Sequence, residues 1–104
     1  KLVVLSSTAA FNSYSNWSSY CIGKHAQVVT SFGLIDEGYS IACYCPGAIL
    51  TKFRKNTNQS NDNAMCVAEA IKPIVENLKA KDFSSGVFMY RKGSEVRTVI
   101  NERI

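Results

Sequence analysis

Two short apolar runs, Lys1 to Leu5 and Ser40 to Cys45, stand on either side of one helix-length segment. No other feature limits the possible folds of this chain so much. Lys1 to Leu5 is short, apolar and β-branched in the middle, which reads as a buried parallel strand. Ser40 to Cys45 is the second strand, and Pro46 stops it because proline has no N–H to give a ladder. Ser6 to Ser15 is small and polar, a loop. A helix begins near Ser15 to Ser18 and runs to about Ile35, with Ile22, Ala26, Val29 and Phe32 at helical spacing. Gly33 weakens this helix, and Asp36-Glu37-Gly38 ends it.

Residues 52 to 63 are rich in Asn, Gln, Ser, Lys and Arg without an apolar period, and read as a surface loop. Asn61 or Asp62 is placed to cap a second helix over Ala64 to about Ala80. Val67, Ala70, Ile71, Ile74, Val75 and Leu78 supply its apolar face, and Pro73 is expected to kink or split it. Gly86 to Tyr90 is the third strand. Arg91-Lys92-Gly93 turns the chain, and Val96 to Ile100 reads as either a further short strand or a loose tail. The order β-α-β-loop-α-β predicts an α/β fold with a mainly parallel three-stranded sheet and flanking helices.

With 104 residues the chain holds one domain or less, and 46% hydrophobic residues is ordinary for a folded protein. No run approaches the roughly 18 apolar residues of a membrane span, so no membrane role is expected. The net charge of +4 suits an anionic partner, and Lys52, Arg54 and Lys55 cluster after Thr51. No nucleic-acid-binding motif accompanies them. They read as a solvated basic loop, or as neighbours of cofactor phosphates or an acidic substrate. Cys43 and Cys45 share one strand face and are poorly placed to bond each other; Cys21 and Cys66 fall in helices. No C-x-x-C occurs and His25 is the single histidine, so no metal site is expected. Free thiols imply a reducing, cytoplasmic setting.

The chemistry concentrates at Tyr20 and Lys24, four residues apart, with Ser7 thirteen residues before the tyrosine. On a helix, side chains four apart lie on one face. A free phenol, with a pKa of about 10, is a poor acid-base group at neutral pH, but a fixed ammonium beside it favours the phenolate. A serine hydroxyl brought to the same place can hydrogen-bond a carbonyl oxygen. Reversible carbonyl reduction needs these three groups. Each also has a structural reading: Tyr20 as a helix aromatic on the sheet, Lys24 as a solvated lysine, Ser7 as a strand-end serine, Thr51 as a helix cap. Trp17 reads as packing before pocket wall, and His25 as a helix-surface residue.

At these residues the chain resembles the short-chain dehydrogenase/reductase family. Four features stand in that family's order: the apolar run ending in Ser6-Ser7, then Tyr20 and Lys24, then the Ser40 to Cys45 strand running into Pro46-Gly47, and Thr51 completing a PGxxxT pattern. The segments Asn16 to Cys21 and Ser85 to Phe88 look most like the sepiapterin and benzil reductase branch. That branch places an acidic substrate contact near Tyr90 and Arg91, where no acid stands in this chain.

The resemblance implies the last three strands of a Rossmann-like, doubly wound sheet. The family's glycine-rich pyrophosphate turn does not occur here. Residues 1–104 therefore read as the catalytic and C-terminal half of such a domain, with the cofactor-binding N-terminal half absent. The first strand would then lack a neighbour on one side, which makes the isolated chain prone to association. The resemblance assigns Tyr20 as general acid, Lys24 as the group that stabilises its phenolate and bonds the nicotinamide ribose, and Ser7 as the group that polarises the carbonyl. The usual thirteen-residue interval selects Ser7 over Ser6. Pro46, Gly47, Ile49 and Thr51 would meet the nicotinamide end of NADP or NAD.

Two function classes follow. One is an NAD(P)H-dependent carbonyl reductase acting on a small ketone, aldehyde or dicarbonyl, dimeric in its full-length parent. The other is a truncated family member that only folds or dimerises. The 104 residues alone are expected not to turn over.

Overall fold

The computed structural model describes residues 1–51 and 63–102. The readings of residues 52–62 as a loop, of Lys52, Arg54 and Lys55 as a basic cluster, and of Asn61 or Asp62 as a cap lie outside the described residues. The elements are β1 (Leu2–Leu5), a 3-10 turn (Thr8–Phe11), α1 (Ser18–Asp36), β2 (Ile41–Pro46), α2 (Val67–Lys79), β3 (Gly86–Tyr90) and β4 (Arg97–Val99). They form an α/β fold with one sheet of order β1-β2-β3-β4.

The sheet has four strands and is mixed, which corrects the expected set of three parallel strands. β1 and β3 both run parallel to β2, while β4 runs antiparallel to β3, with Val99 opposite Val87. The short connection after β3 decides the direction. A parallel return needs a crossover of a dozen or more residues, whereas a tight turn delivers only an antiparallel neighbour. Gly93 takes φ +75 in that turn, and the Ser94 amide donates to the Arg91 carbonyl at 3.0 Å.

All six residues of β2 are buried. Its side chains alternate between the two faces of the sheet. Cys43 and Cys45 join Val28, Ala10 and Val87 under α1, with Val4, Phe32 and Met89 packed against them. Ala42 and Tyr44 join Met65, Ala70 and Tyr90 under α2, with Val3, Ile74 and Phe88 beside them. One helix covers each face.

α1 turns inward only part of the face its periodicity suggested: Phe32 packs on the core, while Ala26 is exposed. Ile22 and Val29 are 69% and 54% exposed, and the buried positions are Cys21, Val28 and Ser31. Apolar residues stand on more than one side of this helix, so spacing alone could not select between them. The surface beneath is built of Val4, Cys43 and Cys45. Ser31 is buried, its hydroxyl donating to the Gln27 carbonyl at 2.7 Å. The end of α1 follows the sequence. Gly38 adopts φ +96, its amide donates to the Ile35 carbonyl at 2.9 Å, and the Tyr39 amide donates to the Leu34 carbonyl at 3.1 Å. That pair of bonds is a Schellman cap, which requires a left-handed residue.

α2 starts at Val67, later than Ala64, because Ala64 and Met65 are held extended. Met65 bridges Ile49 in parallel, its amide donating to Ala48 and its carbonyl accepting from Leu50. Cys66, expected within the helix, is the exposed residue that precedes it. The helix is continuous through Pro73. On the preceding turn the buried Tyr90 hydroxyl donates to the Ala70 carbonyl. Near the far end, the Asn77 amide nitrogen donates to Tyr44 Oη at 2.8 Å and to the Ser84 carbonyl at 2.9 Å, and Asn77 Oδ1 accepts from the Ser84 amide at 2.8 Å. No helix among the described residues is long and apolar enough to cross a membrane.

Candidate functional site

The carboxyl ends of β1, β2 and β3 lie side by side in the register of the sheet. In open α/β sheets this edge is where ligands bind. β1 continues one step past Leu5, the Ser6 amide donating to the Tyr44 carbonyl at 2.7 Å. The two serines that follow then divide. Ser6 is buried, and its hydroxyl donates to the Lys24 carbonyl at 2.8 Å, tying α1 to the end of β1. Ser7 is extended and caps the 3-10 turn, its Oγ accepting from the Ala9 amide at 3.1 Å. An acceptor bond leaves the hydroxyl proton free to be donated elsewhere. Ser6 is thus engaged in the scaffold, and Ser7 keeps a proton to offer.

His25 adds a second tie between α1 and the 3-10 turn. Its Nδ1–H donates to the Ala10 carbonyl at 3.0 Å; only a protonated Nδ1 can meet a carbonyl. The turn is thereby fixed over the second turn of α1, with Thr8, Ala9 and Ala10 buried.

Tyr20 stands in the first turn of α1 and Lys24 one turn later. Lys24 Nζ lies 5.6 Å from the Tyr20 ring centroid, within cation–π range. Trp17 sets its ring edge-on to Tyr20, with centroids 5.5 Å apart. Tyr20 remains 38% exposed, so its phenol is open to a ligand.

Beyond β2, the Gly47 amide donates to the Tyr90 carbonyl at 2.8 Å. A β-carbon at Gly47 would stand 3.0 Å from Arg91 Cγ, so the arginine stem lies directly over this glycine. The Ile49–Met65 bridge fixes the segment that leads to Thr51.

These pieces enclose an open cleft of about 770 Å³. Ser7, Tyr20, Lys24, Pro46, Gly47, Ile49 and Thr51, the seven residues singled out from the sequence, all line it. Trp17 lines it as well as packing on Tyr20, so the indole has both roles weighed for it. Tyr14, Asn63 and Lys92 also line it and were not foreseen; Arg91 lines it too, at the position near which the resemblance had set only an acidic substrate contact. Their membership depends on where β3 ends and on how the chain passes the 3-10 turn, which spacing does not encode. A basic pair directly after a predicted strand, Arg91-Lys92, was the available signal. Among the described residues no Asp or Glu lines the cleft. No group of three or more His, Cys, Asp or Glu that could hold a metal occurs among them.

Behind the cleft, β2 carries titratable side chains. The hydrogen bond between the two thiols pulls Cys43 below its ordinary value, against the opposing effect of burial, with Ser31 and the Lys24 charge acting in the same sense. The same bond, together with burial, pushes Cys45 up. Burial raises the Tyr44 phenol, partly offset by the Asn77 hydrogen bond. Burial also pushes Tyr90 up to about 12.

No protein-family model and no curated protein matches this chain.

Proposed function

We propose that this chain carries the carbonyl-side half of an NAD(P)H-dependent oxidoreductase of the short-chain dehydrogenase/reductase type. In this reading the sheet is the C-terminal part of a Rossmann-like, doubly wound fold. The substrate is a small ketone, aldehyde or dicarbonyl. One observation carries the reading: Ser7, Tyr20, Lys24 and the Pro46-Gly47 to Thr51 segment, scattered over 45 positions of sequence, line one cleft. Such a cleft is within the roughly 300–1,000 Å³ typical of small-molecule sites. Its hydroxyl, phenol and ammonium groups suit a nicotinamide riboside and a carbonyl.

When bound, a reduced nicotinamide nucleotide supplies the hydride. The residues of this chain supply the rest. Ser7 Oγ, oriented by the Ala9 amide, donates a hydrogen bond that holds and polarises the carbonyl oxygen and keeps its own proton. Tyr20 gives its phenolic proton to that oxygen as negative charge develops there. The Lys24 ammonium stabilises the phenolate left behind, and its helix is held in place by the Ser6 bond to its carbonyl. Trp17 and Tyr20 form an aromatic wall for the substrate body. The three thiols Cys21, Cys43 and Cys45 are buried and free, which suits a reducing, cytoplasmic setting.

The test is a titration of the chain with NADPH and NADH, followed by nucleotide fluorescence, with Lys24→Ala as control. Saturable binding that the control loses supports the reading for the chain itself. Absence of binding by a demonstrably folded chain withdraws the reading from the chain itself and leaves a reductase fragment. Oxidation of NADPH with a dicarbonyl, abolished in Tyr20→Phe, would extend the reading to turnover, which the chain alone is expected to lack. A second reading, a folding or dimerisation module without turnover, draws on the exposed Ile22 and Val29 of α1. Self-association without nucleotide binding would favour it.

A further inference from the structure

Among the described residues the charge of the cleft is one-sided. Lys24, Arg91 and Lys92 line it, and no acid does so among the described residues. Lys24 is committed to the Tyr20 side, 5.6 Å from the ring centroid. Arg91 belongs to a different element. It follows β3 directly, and its stem crosses Gly47 at a distance that a β-carbon there would reduce to 3.0 Å. The Pro46-Gly47 corner therefore acts as a rest for the Arg91 side chain. An acid close to this turn stands outside the lining: Glu69 Oε2 accepts from the Gly93 amide at 3.3 Å, two residues beyond Arg91, and among the described residues no carboxylate faces the cleft itself. A guanidinium presents a planar fork of donors that fits a carboxylate bidentately.

From this arrangement we infer that Arg91 binds an anionic oxygen group of the ligand, and that the substrate is a carbonyl compound bearing a carboxylate, of the 2-oxo acid class. Placing a carbonyl beside that carboxylate rests on the reductase reading; the anion site itself does not. A phosphate of the nucleotide shares the same chemistry and is the other source of such a group. The carboxylate is favoured because Arg91 shares the cleft with the aromatic wall of Trp17 and Tyr20, and an aryl 2-oxo acid offers both a ring and a charge.

Trp17 is the single tryptophan of the chain, so its fluorescence reports on this cleft. The full chain is titrated with phenylglyoxylate and with its neutral methyl ester, and separately with nicotinamide mononucleotide and the phosphate-free riboside. The acid should bind about tenfold more tightly than the ester, as expected for one charge-assisted contact. Added salt should shrink that preference. Arg91→Gln should remove it, Arg91→Lys should restore part of it, and neither should change the ratio within the phosphate pair. Equal binding of acid and ester overturns the inference, as does absence of binding by both. So does an acid preference that survives in Arg91→Gln, or an Arg91→Gln effect confined to the phosphate pair, which would assign the arginine to the nucleotide. The two readings fail separately. Acid preference without NADPH binding withdraws the reductase reading from the chain itself and leaves the anion site. NADPH binding with equal acid and ester affinity does the reverse.

Discussion

Replacing Asn77 by alanine should destabilise the fold through one side chain that joins three parts of it. Asn77 uses both amide protons and its oxygen, on Tyr44 of β2 and on both backbone groups of Ser84. A neutral hydrogen bond contributes about 0.5–1.5 kcal/mol net. The two bonds to Ser84 are exposed and belong at the low end of that range; the bond to Tyr44 is partly buried and belongs nearer the middle. The sum is about 2 kcal/mol. Alanine in a helix recovers about 0.5 kcal/mol of propensity relative to asparagine, so the net loss is about 1.5 kcal/mol. Urea denaturation read by Trp17 fluorescence and by far-ultraviolet circular dichroism measures it. A double-mutant cycle with Tyr44→Phe isolates the Tyr44–Asn77 bond, with an expected coupling of about 1 kcal/mol. The same variant should move the Tyr44 phenol further up, because the opposing hydrogen bond is gone. A loss below about 0.5 kcal/mol, or a coupling near zero, would refute the claim that this side chain clamps α2 to the sheet.

Gly38→Ala should cost about 1 kcal/mol in the same assay, because the cap demands φ +96 while no atom lies within 4 Å of the added methyl. A neutral result would mean that the end of α1 is not held in a left-handed cap. Tyr90 predicts an alkaline limit. Its folded-state pKa is raised from 10.0 to about 12, so the stability held by the neutral phenol is complete below about pH 10 and is lost as pH rises through about 12. At 1.36 kcal/mol per unit the loss is on the order of 2–3 kcal/mol. Denaturation curves from about pH 9 upward should fall less steeply in Tyr90→Phe; parallel slopes would refute the assignment.

The strand–helix–strand frame was legible because buried parallel strands are apolar along their length, as in Leu2 to Leu5 and Ile41 to Cys45. Gly38 was legible as a stop because only glycine fits that backbone freely. The inward face of α1 was not, since Ile22 and Val29 match a helical period as well as Cys21 and Val28 do, and the choice belongs to the sheet beneath. β4 was ambiguous because three paired residues carry too short an alternation to separate a strand from a tail. At the cleft, the spacing of Ser7, Tyr20 and Lys24 was visible in one dimension. The position of Arg91 was visible only through the resemblance, and its resting place over Gly47 was not, because that depends on the register of β3 against β2, a property of two strands together.

β2 gives this small protein two interiors instead of one. Successive side chains of that strand look in opposite directions, and each interior is filled by five buried residues that the other does not share. Packing errors on one side therefore reach the other through the backbone of the sheet, in which β1, β2 and β3 each send side chains to both interiors. The cleft draws on both sides. Ser7, Tyr20 and Lys24 are positioned from the α1 side, while Gly47 and Arg91 depend on β3 and on Tyr90, whose ring is sunk in the α2 side. The groups proposed to move the proton and the group proposed to hold the charge are thus mounted on two separately packed halves.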